Sequence, residues 1–147
     1  MPMIPRTGRL LALDWGEVRI GVAVSDETQL IASPRATLTR RAGKRFPMPA
    51  FLALVEAERP VGLIVGLPLT AEGNEEAAAR SAREMGTLAA ARAELPLDFV
   101  DERFSTARAL GAIREMEGST RSRKQDVDAL AATVLLQHFL ETRRNQP

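Results

Sequence analysis

Asp14 limits what this chain can fold into more than any other residue. It closes the apolar run Leu10–Leu13, and a second apolar run, Ile20–Val24, follows after a glycine-containing turn. Burying a lone carboxylate costs several kcal/mol unless something pairs it. Any fold that buries both runs must therefore bring a partner to Asp14. The two runs read as a hairpin, Leu10–Asp14 and Ile20–Ser25, joined by the tight connection Trp15–Arg19, with Gly16 and Gly21 as permissive backbone points.

Beyond the hairpin, Leu30–Ser33 reads as a short third strand ending at Pro34, and Thr37–Pro49 as a basic loop carrying Arg40, Arg41, Lys44 and Arg45. The spacing of Phe51, Leu52 and Val55 predicts a helix over Pro49–Arg59, stopped by Pro60. Val61–Val65 is a continuous apolar run between Pro60 and Gly66, the pattern of a buried parallel strand. Gly66 either permits close backbone approach or ends that strand. The Ala-rich stretch Glu72–Glu94 reads as a helix with its acids early and Arg92 late, which suits the helix dipole. Leu97–Val100 is the next strand, and Ser105 is an N-cap for a helix running to about Glu117. A second basic loop, Gly118–Lys124, leads into a last helix, Gln125–Arg143. A hairpin followed by alternating strands and helices predicts an α/β fold with helices packed on a mixed sheet.

The 147 residues suit one domain spanning the chain, with loose ends at 1–8 and 144–147. No apolar stretch approaches the roughly 20 residues of a bilayer span, so no membrane association is expected. The N-terminus does not read as a signal peptide. The absence of cysteine excludes disulfides, thiol chemistry and zinc-thiolate sites. It is compatible with a reducing cytoplasm, the expected location. The net charge of +1 names no partner by itself.

Strand ends are where α/β sheets gather functional groups. Asp14 sits at one such end and Glu102 just past another. If their strands are parallel neighbours, both carboxylates emerge on the same rim. Asp128, Ala132, Leu135 and Phe139 share one stripe of the last helix, so Asp128 opens an apolar face that looks toward the sheet. Asp126 is rotated away and reads as a first-turn acid. Three carboxylates brought together repel; one takes a proton, or divalent cations neutralise them. Mg²⁺ and Mn²⁺ prefer hard oxygen ligands, and two such ions about 4 Å apart can activate a water and stabilise the leaving oxygen of a phosphodiester. Beside basic loops, this set points to a nuclease site holding one or two ions of Mg²⁺ or Mn²⁺. Read singly, Asp14 is a turn former, Glu102 a surface partner of Arg103, and Asp128 a helix N-terminal acid; the nuclease reading rests on their meeting.

Arg19, Arg103, Ser105, Arg121, Arg123 and Lys124 are candidates for binding phosphates, the last three because their loop immediately precedes Asp128. Ser105 also serves as a helix cap. Trp15 reads as a packing residue rather than a base-stacking platform, and His138 as structural or surface.

The segments LDWGEVRIGVAVSD, LIASP, IVGLPLT, VDERFST and VDALAATVLLQHFL occur in the order seen in the YqgF/RuvX family. The resemblance runs from about Arg9 to Leu140. It implies an RNase H-like fold, a five-stranded mixed sheet flanked by helices, related to the RuvC Holliday junction resolvases. It also implies an acidic triad at Asp14, Glu102 and Asp128. The implied activity is nuclease action on structured nucleic acid, either maturation of the small-subunit (16S) ribosomal RNA precursor or Holliday junction resolution, which would make ribosome biogenesis or DNA recombination its setting. Glu17-Val18 departs from the Thr-Lys or similar pair usual in the family, removing a phosphate contact from the first turn. Two readings compete: a non-catalytic nucleic-acid-binding module on the same fold, and a nucleotide-binding ATPase or kinase-like domain. The latter needs a second domain that this chain is too short to supply. Junction resolution calls for two symmetric sites and hence a homodimer, whereas a monomer suits ribosomal RNA trimming.

Overall fold

The computed structural model describes residues 3–16, 18–40, 45–68, 76–102 and 124–146. Within them a five-stranded sheet is built from β1 (Leu10–Trp15), β2 (Arg19–Ser25), β3 (Ala32–Thr39), β4 (Gly62–Leu67) and β5 (Leu97–Asp101). Three described helices pack on it: α1 (Met48–Glu58), α2 (Ala77–Ala93) and α3 (Lys124–Arg144). The spatial order is β3-β2-β1-β4-β5. The pairs β1–β2 and β2–β3 are antiparallel, while β1–β4 and β4–β5 are parallel, so the sheet is mixed as expected.

Side-chain alternation along the strands sorts the core into two layers. Leu11, Leu13, Ile20, Val22, Leu63 and Val65 face α1 and α2, meeting Phe51, Leu54, Ala82 and Ala89. Leu10, Ala12, Ala23, Ile64 and Val100 face α3, meeting Ala132, Leu135, Leu136 and Phe139. The burial of Ala132, Leu135 and Phe139 bears out the helical stripe that starts at Asp128. Near the far end of α3, Arg143 donates to the carbonyl oxygens of Ile4 and Pro5, and Ile4 itself is buried.

Two local expectations are corrected. The third strand does not stop at Pro34 but continues to Thr39, taking the first part of the supposed basic loop into the sheet. Pro34 is tolerated because β3 lies at the sheet edge, where a missing N–H costs no ladder bond on the open side. The register also shifts there: Pro34 pairs with Ala23 and Ala36 with Val22, leaving Arg35 as the extra residue. Likewise Gly66 does not end β4, which runs on to Leu67. The helix expected after Ser105 lies outside the described residues, as do residues 72–75 of the predicted second helix, which is helical over Ala77–Ala93.

Candidate active site

Asp14 is the third position of β1, after Leu10 and Ala12, to face α3. Its partner across the β1–β2 ladder is Gly21, and directly opposed residues project to the same side of a sheet. A Cβ on Gly21 would overlap the backbone carbonyl of Asp128. The missing side chain is thus what lets the first turns of α3 lie against the sheet beside Asp14. This glycine is required for close approach of two backbones, not for an unusual dihedral.

On the other flank, Val65 pairs with Leu13, and Gly66 follows it. A Cβ on Gly66 would sit 2.5 Å from Oε1 of Glu102 and overlap the end of Leu135. Glu102 leaves the end of β5 and crosses the space that a side chain on β4 would fill. The strands carrying Asp14 and Glu102 are parallel but are not neighbours, because β4 lies between them. The two acids meet because position 66 is glycine.

The carboxyls of Asp14 and Glu102 are hydrogen-bonded to each other, and Oε1 of Glu102 is buried. Two carboxylates can share such a bond only if one holds a proton. Burial, then the bond to Asp14 and the negative charges of Asp14 and Asp101, push Glu102 up to about 9. Asp14 is also raised, chiefly by burial and further by the charge of Asp128, while the hydrogen bond from Glu102 offsets part of this. At neutral pH the shared proton resides on Glu102, which donates it to Asp14.

Asp128 is close enough for its charge to act on Asp14 but does not join that pair. Nε of Arg19 donates to its Oδ2 at 2.7 Å, and both side chains are about 30% exposed. Arg19 precedes Gly21 by two positions on β2 and so projects toward α3. Among the described residues, no three His, Asp or Glu side chains close into a ready metal cage. The chain thus brings two carboxyls into contact and holds the third nearby on a guanidinium.

Of the predicted phosphate contacts, Arg19 is placed on this rim as an ion-pair partner of Asp128. Arg103, Ser105, Arg121 and Arg123 lie outside the described residues, as does Glu17; Lys124 begins α3. Sequence reasoning missed the Arg19–Asp128 pair, although the two-residue offset from Gly21 was available as a signal. Arg40, named in the sequence only as part of a basic loop, has its guanidinium 4.3 Å from the centroid of Trp15 and donates to the Gly16 carbonyl at 3.0 Å. Trp15 stacks on Phe46 as a packing residue. A cavity of about 530 Å³ at the far end of the molecule, lined by Phe99, His138, Phe139 and Arg143 among others, contains none of the three acids. No described helix is long and apolar enough to cross a membrane.

Comparison with known proteins identifies the family and the fold. A family model described as "RuvX: Holliday junction resolvase" matches residues 8–142. A protein of Koribacter versatilis named "Putative pre-16S rRNA nuclease" is 39% identical over 136 residues, covering 92% of this chain and 88% of the relative. One of the same name from Rhodopirellula baltica is 37% identical over 143 residues, covering 95% and 80%. Among solved structures, Thermus thermophilus RuvC in complex with a Holliday junction substrate superposes with a TM-score of 0.59. It is 17% identical and covers 95% of this chain and 97% of that one. The fold is thus RNase H-like, and the chain belongs to the RuvX family of nucleases.

Proposed function

We propose that this protein is a metal-dependent nuclease that hydrolyses phosphodiester bonds in structured nucleic acid. Its relatives' names point to the 16S ribosomal RNA precursor as substrate, and its family's name to the Holliday junction. The observation that carries the reading is the convergence of Asp14, Glu102 and Asp128 on one rim, with Glu102 crossing the space left by Gly66 and Asp128 held alongside on the Arg19 guanidinium. No structural need explains packing three acids on one rim, since like charges there cost stability.

The donor set fits Mg²⁺ or Mn²⁺: the acids offer hard oxygens, and the chain has no thiol to favour a softer metal. Among the described residues the guanidinium of Arg19 answers Asp128 while Glu102 is pushed toward its neutral form, and a divalent cation would supply positive charge to all three acids. Asp14, Glu102 and Asp128 would hold the ion or ions. Bound there, such a metal supplies a nucleophilic water at neutral pH and stabilises the leaving oxygen. Within the chain, Gly21 and Gly66 set the spacing of the acids, and Arg19 adds positive charge at the rim that a phosphate approaches. Arg103, Ser105, Arg121, Arg123 and Lys124 complete the reading as phosphate contacts, with cytoplasmic location and, for a junction substrate, a homodimer.

The test is cleavage of a 16S precursor RNA and a DNA four-way junction side by side in Mn²⁺. Wild-type protein should cut at least one of them. Asp14→Asn should be slower by at least about a hundredfold, the scale on which metal-site mutations act, with its unfolding midpoint unchanged. A fully active Asp14→Asn protein ends the proposal. Binding without cleavage by the wild type identifies a binding module instead.

A further inference from the structure

Asp128 faces two possible partners across a short distance, the Asp14–Glu102 pair and Arg19, and in the folded chain it is bonded to Arg19. Its backbone cannot shift to change this. The carbonyl of Asp128 lies against the Gly21 backbone with no room even for a Cβ, and the helix behind it is anchored by fully buried Ala132 and Leu135. Only the side-chain torsions of Asp128 remain as a freedom. Arg19 is constrained in the same way, since its backbone is held in the ladders to both neighbours of β2: Ile20 pairs with Trp15, and Arg19 itself with Thr39. Both side chains are nonetheless about 30% exposed, so the pair can open toward solvent without disturbing the core.

We propose that Arg19 is the resident counter-ion of Asp128, a positioning residue that holds this carboxylate away from the Asp14–Glu102 pair until a divalent cation displaces it. The inference rests on the metal-dependent reading above and adds a competition within it. A guanidinium cannot lose its proton under ordinary conditions, so the competition is between two cations for one carboxylate. The ion pair must break before Asp128 can turn to a metal, and the energy of that pair is subtracted from metal affinity. Once displaced, the guanidinium stays tethered to β2 on the rim that nucleic acid reaches, where phosphate oxygens can accept its N–H bonds.

Competition predicts the opposite sign to damage. If Arg19 merely supported the site, removing it would loosen metal binding; if it competes, removing it tightens binding. The experiment is Mn²⁺ binding without nucleic acid, read from free Mn²⁺ by electron paramagnetic resonance. It compares wild type, Arg19→Gln, Arg19→Lys and Asp14→Asn, each checked for a native thermal transition. Arg19→Gln should bind Mn²⁺ more tightly by on the order of tenfold, since it removes both a competitor and a nearby positive charge. Arg19→Lys, which keeps the charge, should stay within about threefold of wild type. Asp14→Asn should bind more weakly than wild type. If Asp14→Asn weakens binding while folded Arg19→Gln binds no better than wild type, the competition is overturned and the carboxylate site stands. If Asp14→Asn leaves binding unchanged, or no variant binds Mn²⁺, the carboxylate site and the competition fall together.

Discussion

Glu58 and Glu102 are the same residue type in similar positions, one ending α1 and the other just past β5, yet their surroundings are opposite. Burial works against the charge of each. At Glu58 two guanidiniums answer it: Arg35 donates to Oε1 at 2.9 Å and Arg9 to Oε2 at 2.8 Å. The outcome is a carboxyl held below its ordinary value. At Glu102 burial is joined by the acids Asp14 and Asp101, which push its carboxyl up rather than down. The first glutamate ties a helix end to β3 and to the residue before β1, with a guanidinium on each oxygen. The second sits among acidic side chains on the described rim, and such a site gains from an added cation.

The largest expected effect tests whether the acidic rim is built on backbone approach, as the Glu58 network is not. Gly21→Ala should cost at least about 3 kcal/mol, because two main chains must separate to admit the methyl group and α3 must lift from the sheet. Chemical denaturation would measure the loss, and cleavage should fall with it, since Asp14 and Asp128 move apart. A Gly21→Ala protein of native stability would mean that α3 does not rest on β2 as described.

Next in size is the contrast between the two glutamates. Glu102→Gln keeps the shape and the hydrogen-bonding of a carboxyl that is already protonated, so its unfolding midpoint at pH 7 in chelator should equal or exceed that of wild type. Its cleavage in Mn²⁺ should drop by at least about a hundredfold. Glu58→Gln should do the reverse, losing about 1 kcal/mol of stability as two partly exposed arginines lose their counter-ion and leaving the cleavage rate intact. If Glu58→Gln impairs cleavage as strongly as Glu102→Gln, the division into a structural and a functional acid fails.

The same contrast marks what the sequence made legible. The hairpin, the parallel character of β4 and the phase that turns Asp128 toward the sheet all follow from local periodicity, and each is observed. Strand order is different in kind. Nothing within Leu97–Val100 says that β4 will stand between it and β1, because lateral neighbours are chosen by tertiary packing. The meeting of Asp14 and Glu102 was therefore inferred through the wrong adjacency, and the feature that achieves it is an absent side chain at Gly66. The extension of β3 past Pro34 was hidden for a related reason: proline weakens a strand only if its N–H is needed, and an edge position is not visible in sequence. Pairs such as Arg19–Asp128, separated by 109 positions, become evident only once Gly21 is known to seat the helix.

The most discriminating test is the pH dependence of stability in metal-free protein. Glu102 holds its proton in the folded chain up to about pH 9 but releases it near 4.5 when unfolded. Between those values the folded state binds more protons, so the contribution of Glu102 to stability is full below pH 4.5 and is lost as pH rises toward 9. Asp14, also raised, acts in the same direction. Glu58 is lowered, so its contribution is present above 4.5 and is lost as pH falls through its folded-state value. Unfolding midpoints measured across pH in chelator should therefore decline on both sides, for different reasons. Glu102→Gln should flatten the alkaline decline and leave the acid limb, whereas Glu58→Gln should soften the acid limb alone. Saturating Mn²⁺ should also flatten the alkaline side, because a bound cation replaces the proton that the rim otherwise retains. An alkaline limb insensitive both to Glu102→Gln and to Mn²⁺ would show that the carboxyl pair is not where the folded chain stores its extra proton.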